Sequence, residues 1–146
     1  MIALRKEKAR LLQRQPRRPI AWVVVGLEVL LGVGALFGGG ALLLAPDGHL
    51  LSMPTSVLAN SPFTDFLVPG LILFTVNGVA PLVAASLTIW RPSLAPLAAV
   101  GIGVAVIGWI VVEMVILAGW GSLAWSFYLL LGAAIAGCGL WWWRTR

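Results

Sequence analysis

Long apolar runs separated by short polar segments dominate the pattern along this chain. Four runs reach the about 20 residues that a helix needs to cross about 30 Å of hydrocarbon. They cover residues 20 to 45, about 66 to 90, 94 to 119 and 122 to 143. The first run is too long for the apolar region of a cleaved signal, so we expect the protein to keep it. The sequence therefore predicts an all-α polytopic membrane protein, a bundle of four transmembrane helices.

Composition leads to the same class. Hydrophobic residues make up 60% of the chain and charged residues 10%, and the mean hydropathy is +1.00. Between Ile20 and Trp143 the formally charged residues are Glu28, Asp47, Asp65, Arg91 and Glu113. This is too little charge to coat a soluble domain.

The basic residues define a topology. They lie in the arm of residues 1 to 19, at Arg91 and in the tail of residues 144 to 146, while the 46 to 65 loop and the turn near Gly121 contain none. Since cytoplasmic segments carry the excess of Lys and Arg, both termini are predicted to be cytoplasmic and the long loop external. The arm lacks interleaved aromatic residues, so we expect membrane lipids and no nucleic acid as its partner.

Tryptophan positions fit this topology, because indole rings prefer the membrane interface. The predicted map puts Trp120 and Trp125 at the outer interface and only Trp109 near the middle of the membrane. The inner interface would hold Trp22, Trp90 and Trp141 to Trp143.

The external loop is rich in turn and cap residues. Pro54 can open a short helix, and Ser61 followed by Pro62 has the pattern of a second helix start. The loop is expected either to lie flat on the bilayer or to fold over the mouth of the bundle. His49 has no second His or Cys nearby, so neither a metal site nor another cofactor is expected.

Pro81 lies inside the second span and lacks the N–H that would bond the carbonyl of Asn77 four residues earlier. An unpaired carbonyl is costly in lipid, so this region should face protein, water or a bound molecule. An ordinary kinked helix, satisfied by a neighbouring helix, is the alternative.

Glu28 and Glu113 have no basic residue at their depth, so both are candidates to be neutral and hydrogen-bonded. Counting about 1.5 Å per residue, Glu28 falls inside the midplane, Asn77 slightly outside it and Glu113 about 9 Å outside it. The two glutamates are therefore not expected to form a dyad.

Helical spacing indicates where each glutamate points. The face that carries Glu28 bears only small residues, which favours an orientation into the bundle or an oligomer contact; they are Ala21, Gly32, Ala35 and Gly39. Glu113 lies one turn after Trp109, whose indole can stack on a cationic ligand. An intramembrane acid is a functional-site hypothesis, and its alternative is a carboxyl group that joins two helices by hydrogen bonding.

These residues predict a small cavity in the outer half of the bundle, roofed by the external loop. It would bind a lipid, a small hydrophobic amphiphile or a partner helix. The candidate ligand-binding residues are Glu113, Trp109, Asn77, Glu28 and Asp65.

Two other functions remain open. One is a proton-coupled exporter that acts as a homodimer through Glu28. The other is an intramembrane lipid-modifying enzyme with Glu113 as acid or base. No His, Ser or Cys accompanies the carboxylates at the same depth, so no catalytic residue is predicted.

Three segments carry a resemblance. With GGGALLLAPDG, NSPFTDFLVPGLIL and GWIVVEMVIL, the chain resembles an uncharacterised family of small bacterial four-span integral membrane proteins. The resemblance implies the four-span topology and a bacterial inner-membrane location, and no activity. Leu27, Glu28 and Val29 are also similar to the first span of small multidrug resistance transporters, whose glutamate exchanges drug for protons; the long loop and second glutamate here depart from that family.

Overall fold

The computed structural model describes residues 19–117 and 122–145. Most of the predicted basic arm, the turn near Gly121 and Arg146 lie outside the described residues. Four helices long and apolar enough to span a membrane make up the architecture. They are α1 (Pro19–Leu44), α2 (Leu67–Trp90), α3 (Ala95–Ile116) and α4 (Ser122–Arg144).

This arrangement confirms the predicted all-α bundle, and the chain is a multi-pass membrane protein. Helix α1 packs mainly against α2, and α3 packs mainly against α4. Contacts of α1 with α4 and of α2 with α3 join the two pairs. The turn that bears Arg91 and the segment of residues 45–66 lie at opposite ends of the bundle. We call these the Arg91 end and the loop end; their assignment to the inner and outer sides stays a prediction.

Large apolar side chains point away from the bundle on every helix, for example Phe37 on α1, Val83 on α2, Val115 on α3 and Leu130 on α4. In water such a surface would be unfavourable, whereas in a bilayer it meets acyl chains. The exposed apolar face is therefore the lipid-facing surface of the protein.

Helix α2 changes its winding in the middle. It is α-helical over Leu67–Ile72, π-helical over Leu73–Val79 and α-helical again over Ala80–Trp90. π-Helical turns are rare and occur often at functional sites. The π segment contains Asn77, one of the predicted site residues.

Pro81 has no backbone N–H, so one carbonyl of this helix lacks its usual donor. In the π segment an N–H bonds the carbonyl five residues back, as the Ala80 N–H does with the Thr75 carbonyl. The same spacing assigns the absent N–H of Pro81 to the Val76 carbonyl. The expectation that the Asn77 carbonyl lacks a donor assumed an α-helical spacing, and it stays a prediction.

Glycines allow α1 and α2 to approach closely. A Cβ atom at Gly39 would lie 2.6 Å from the Phe74 backbone nitrogen, and one at Gly32 would lie 2.9 Å from the Gly78 carbonyl oxygen. Small residues bring membrane helices close enough for extensive van der Waals packing. This contact holds the π segment against α1.

The long loop folds over the mouth of the bundle. It forms two short 3₁₀ helices, His49–Leu51 and Thr55–Leu58. Leu58 and Phe66 are buried and form a cluster with Leu42 of α1. Of the two arrangements left open by the sequence, the structure shows the covering one.

One predicted helix start in the loop is right and the other is wrong. Pro54 directly precedes the second 3₁₀ helix, as expected. No helix begins after Ser61, because its Oγ accepts the Phe63 N–H at 3.2 Å and donates to the Leu58 carbonyl at 2.9 Å, which makes a turn. Helix α2 begins only at Leu67.

An exposed acid and imidazole pair lies on this loop. The Asp47 carboxylate and His49 Nδ1 are 2.6 Å apart. This hydrogen bond holds the pKa of Asp47 below its ordinary value of 3.8. Since the folded pKa is the lower one, the stabilisation is present above the unfolded pKa and is lost as the pH falls through the folded pKa.

We expect the Asp47 carboxyl signal in an NMR pH titration to have its midpoint below 3.8. His49→Ala should move that midpoint up toward 3.8. An unchanged Asp47 midpoint in His49→Ala would show that the imidazole does not stabilise the carboxylate.

Candidate functional site

The Glu113 carboxyl group lies one turn before the end of α3 and is turned toward protein. Its Oε1 accepts a hydrogen bond from Trp109 Nε1 at 2.6 Å. This is the geometry that two residues four apart on one helix allow, since each side chain tilts toward the helix N-terminus. The Trp125 side chain of α4 is buried and also lies at the carboxyl group.

Glu113 lines two adjoining cavities. We call the first the loop cavity; its volume is about 40 Å³, and it is enclosed mainly by apolar side chains of the loop and of three helices, including Leu42, Met53, Leu58, Phe66 and Ile116. The second, the polar cavity, has a volume of about 80 Å³ and also contains Asn77 and Tyr128. Both are lined by Leu73, Trp109 and Glu113. The carboxyl group therefore lies where the loop cavity meets a second, also mainly apolar, space that adds the polar side chains of Asn77 and Tyr128.

Asn77 differs from the other polar groups of this site in its hydrogen bonding. Its side chain is buried, and neither its amide nitrogen nor its amide oxygen has a hydrogen-bond partner among the described residues. A buried amide without partners costs about 1–3 kcal/mol in protein mutational data. Asn77 therefore presents an unused donor and an unused acceptor to the polar cavity.

Tyr128 closes the polar cavity from α4. A Cβ atom at Gly34 of α1 would lie 3.3 Å from the Tyr128 hydroxyl oxygen. The phenol thus reaches across the bundle because α1 has no side chain at that position. Neither Tyr128 nor the inward orientation of Trp125 was predicted from the sequence; Trp125 was expected at the membrane interface, but it is buried.

Glu28 lies apart from this site. It is fully buried, and both carboxyl oxygens lack a hydrogen-bond partner among the described residues. Leu31, one turn further along α1, lines the polar cavity, whereas Glu28 lines neither cavity. Its side chain tilts toward the N-terminus of α1, away from the cavity.

Asp65 also lies apart from the two cavities. Its Oδ1 accepts the Leu67 N–H at 2.9 Å at the start of α2. Carboxylates at this place satisfy N–H groups that have no partner within the helix and interact favourably with the helix dipole. The structure thus gives Asp65 a capping contact and does not bring it to Glu113.

The chemistry available at Glu113 is that of a hydrogen-bond acceptor beside aromatic rings. Among the described residues, neither Lys nor Arg lines the two cavities. Among residues 19–117 and 122–145, no group of three His, Cys, Asp or Glu side chains could hold a metal ion. The site can accept a hydrogen bond from a neutral donor or attract a cation, whereas an anionic group would find no positive partner there.

These features define a multi-pass membrane protein with an intramembrane cavity that contains an acid. Comparisons of the chain with protein-family models, with curated proteins and with solved structures gave no match. The resemblance to a bacterial four-span family therefore remains a prediction.

Proposed function

We propose that this protein binds a small amphiphile at its loop end, with the polar head on Glu113 and the apolar part in the loop cavity. The observation that carries the proposal is the position of the Glu113 carboxyl group on the boundary of both cavities. Ligand sites combine mainly apolar walls with a few convergent polar groups, and this arrangement has both.

The acceptor character of Glu113 specifies the head group. A primary ammonium ion donates three hydrogen bonds and carries the charge opposite to a carboxylate. The indole of Trp109 lies beside the same carboxyl group, and aromatic faces attract cations within about 6 Å. An amine is therefore the head group that this site fits best.

The size of the cavities specifies the tail. A cavity needs at least about 10–15 Å³ for each water molecule, so the loop cavity of about 40 Å³ accommodates roughly three or four groups of that size. A whole lipid does not fit into this space. A short alkyl chain, or the end of a larger molecule that enters from the membrane, does.

The proposal is tested with primary n-alkylamines on protein in lipid nanodiscs. We expect butylamine to raise the unfolding temperature, because a ligand that binds only the folded state stabilises it. Affinity should rise about fourfold for each methylene up to butylamine and then level off, since a buried methylene contributes about 0.8 kcal/mol. Butyrate, which has the same number of carbon atoms and a negative head, should not bind.

The matched variants are Glu113→Gln and Glu28→Gln. Glu113→Gln should weaken butylamine binding about tenfold or more, because hydrogen bonds to charged groups contribute about 1.5–3 kcal/mol. Glu28→Gln removes the other membrane-embedded carboxyl group, which lines neither cavity, and should leave binding unchanged. Equal binding by wild type and Glu113→Gln, or binding of butyrate as tight as that of butylamine, would refute the proposal.

The exporter alternative has less support. It requires Glu28 at a contact between two copies, and Glu28 is fully enclosed within one chain. If butylamine-driven proton release from liposomes disappears in Glu28→Gln and persists in Glu113→Gln, the exporter function would replace the binding function proposed here.

A further inference from the structure

A second apolar space lies on the lipid-facing side of the bundle, between α2 and α3. It is a groove of about 540 Å³ whose lining includes Val79, Val83, Ala84, Leu87, Ala98 and Gly101. Three of these residues are small, which leaves an open hollow between the two helices. Thr75, at the far end, donates its hydroxyl to the Leu71 carbonyl at 2.7 Å, so it satisfies its own donor within the helix.

The dimensions of the groove match one leaflet of a bilayer. From Thr75 to Leu87 it follows α2 for about 18 Å at about 1.5 Å per residue. Half of the hydrocarbon core of a bilayer is about 15 Å thick. One acyl chain that descends from the membrane surface at the Arg91 end would therefore run along most of the groove.

Arg91 lies just beyond the end of this groove. Its N–H bonds the Leu87 carbonyl at 2.7 Å, its carbonyl accepts the Leu94 N–H at 2.9 Å, and Leu94 in turn leads into α3. The side chain of Arg91 is exposed, and the neighbouring Trp90 is 79% exposed. Arginine and tryptophan side chains at this place meet lipid head groups.

We propose that this groove and Arg91 form a binding site for one anionic phospholipid. Its acyl chain fills the groove between α2 and α3, and its phosphate pairs with the Arg91 guanidinium. Arginine presents several N–H donors that suit bidentate contact with phosphate oxygens. The site is independent of the cavities at the loop end, so either proposal can fail without the other.

A second copy of the chain is a poorer occupant. Two copies related by a two-fold axis along the membrane normal present the same surface to each other at the same depth. A contact through this groove would then bring the two Arg91 side chains to the same level beside the axis, where like charges repel. A phospholipid supplies the opposite charge instead.

The test uses protein reconstituted in vesicles of equal parts phosphatidylglycerol and phosphatidylcholine, then extracted gently, with the retained lipid counted by native mass spectrometry. Wild type should retain one phosphatidylglycerol. Gly101→Leu fills the groove, and a Cβ atom there meets nothing within 4 Å, so the fold tolerates it. Retention should fall about tenfold, since a chain that must leave the groove loses its van der Waals packing against α2 and α3.

Further variants distinguish the contribution of the groove to lipid retention from that of the head-group contact. Gly108→Leu, on the same helix with equally open space but outside the groove, should retain the lipid. Arg91→Gln should lower the preference for phosphatidylglycerol over phosphatidylcholine about fivefold, the effect of one basic residue near an anionic surface. Arg144→Gln removes the other described cation and should leave the preference unchanged.

Three results would overturn the proposal. These are equal retention by Gly101→Leu and Gly108→Leu, an unchanged lipid preference in Arg91→Gln, and a wild-type dimer that Gly101→Leu converts to a monomer. The last result would assign the groove to a second copy of the chain.

Discussion

Gly103→Ala is expected to lower the free energy of unfolding of the bundle by about 1–3 kcal/mol, the usual effect of overpacking a tight contact. Gly103 lies on the α3 face that meets α4. A Cβ atom there would lie 2.5 Å from the Gly132 carbonyl oxygen and 2.6 Å from the Ala136 backbone nitrogen. Both are backbone atoms, so they cannot move aside as a side-chain end can, and the two helices must separate.

Gly101→Ala is the matched control for this prediction. It lies two residues earlier on the same helix, and its added methyl group meets nothing within 4 Å. Reversible unfolding in mixed micelles should show a loss for Gly103→Ala and no loss for Gly101→Ala. Equal stability of the two variants would mean that α3 and α4 do not pack as closely as the structure shows.

Glu28→Met is expected to raise the free energy of unfolding, by about 1–3 kcal/mol, which is the cost of a buried polar group without partners. Methionine is an unbranched side chain of similar length that adapts to irregular space. Glu28 is fully buried with two oxygens that lack partners among the described residues, so the apolar side chain loses no hydrogen bond to protein. The same unfolding assay measures the change.

Glu28→Gln is the control here, because it keeps a polar group of the same shape and should change stability less than Glu28→Met. A loss of stability in Glu28→Met would contradict the prediction and would show that the carboxyl group is hydrogen-bonded in the membrane. In that case Glu28 would join two helices by hydrogen bonding, which is the alternative that the sequence left open.

Much of the fold follows from the sequence because bilayer thickness fixes helix length. The four apolar runs therefore predict the number and order of the helices. The small residues on the Glu28 face predict its burial, and Gly32 and Gly39 do contact α2 there. Two physical constraints, helix length and close packing, thus suffice for the architecture.

The details of the candidate site depend on tertiary packing, so the sequence predicts them less well than the fold. The π winding around Asn77 has no sequence signature beyond Pro81, so an α-helical spacing was assumed there. Trp125 suits a membrane interface as well as a bundle interior, so only its contact with Glu113 distinguishes the two. Asp65 was grouped with the site, whereas in the structure it lies two residues before Leu67 and makes a capping contact there.

The sequence likewise does not predict which residues roof the loop cavity. Leu58 and Phe66 are apolar residues in a segment beside the membrane, and such residues can insert into lipid or cover protein. The Phe66 N–H bonds the Pro46 carbonyl at 2.8 Å and ties the two ends of the loop together. That closure turns both side chains onto the bundle, and it joins residues too distant in the chain for local patterns to predict.

The central claim is that Glu113 holds the polar head of a bound amine, and solid-state NMR tests it most directly. Carbon-13 in the glutamate carboxyl groups and nitrogen-15 in butylamine report the distance between them in a bilayer. We predict dipolar dephasing of the Glu113 carboxyl signal that corresponds to about 4 Å, the limit of an ion pair, and none at Glu28. Bound butylamine that leaves the Glu113 signal unchanged would contradict the claim.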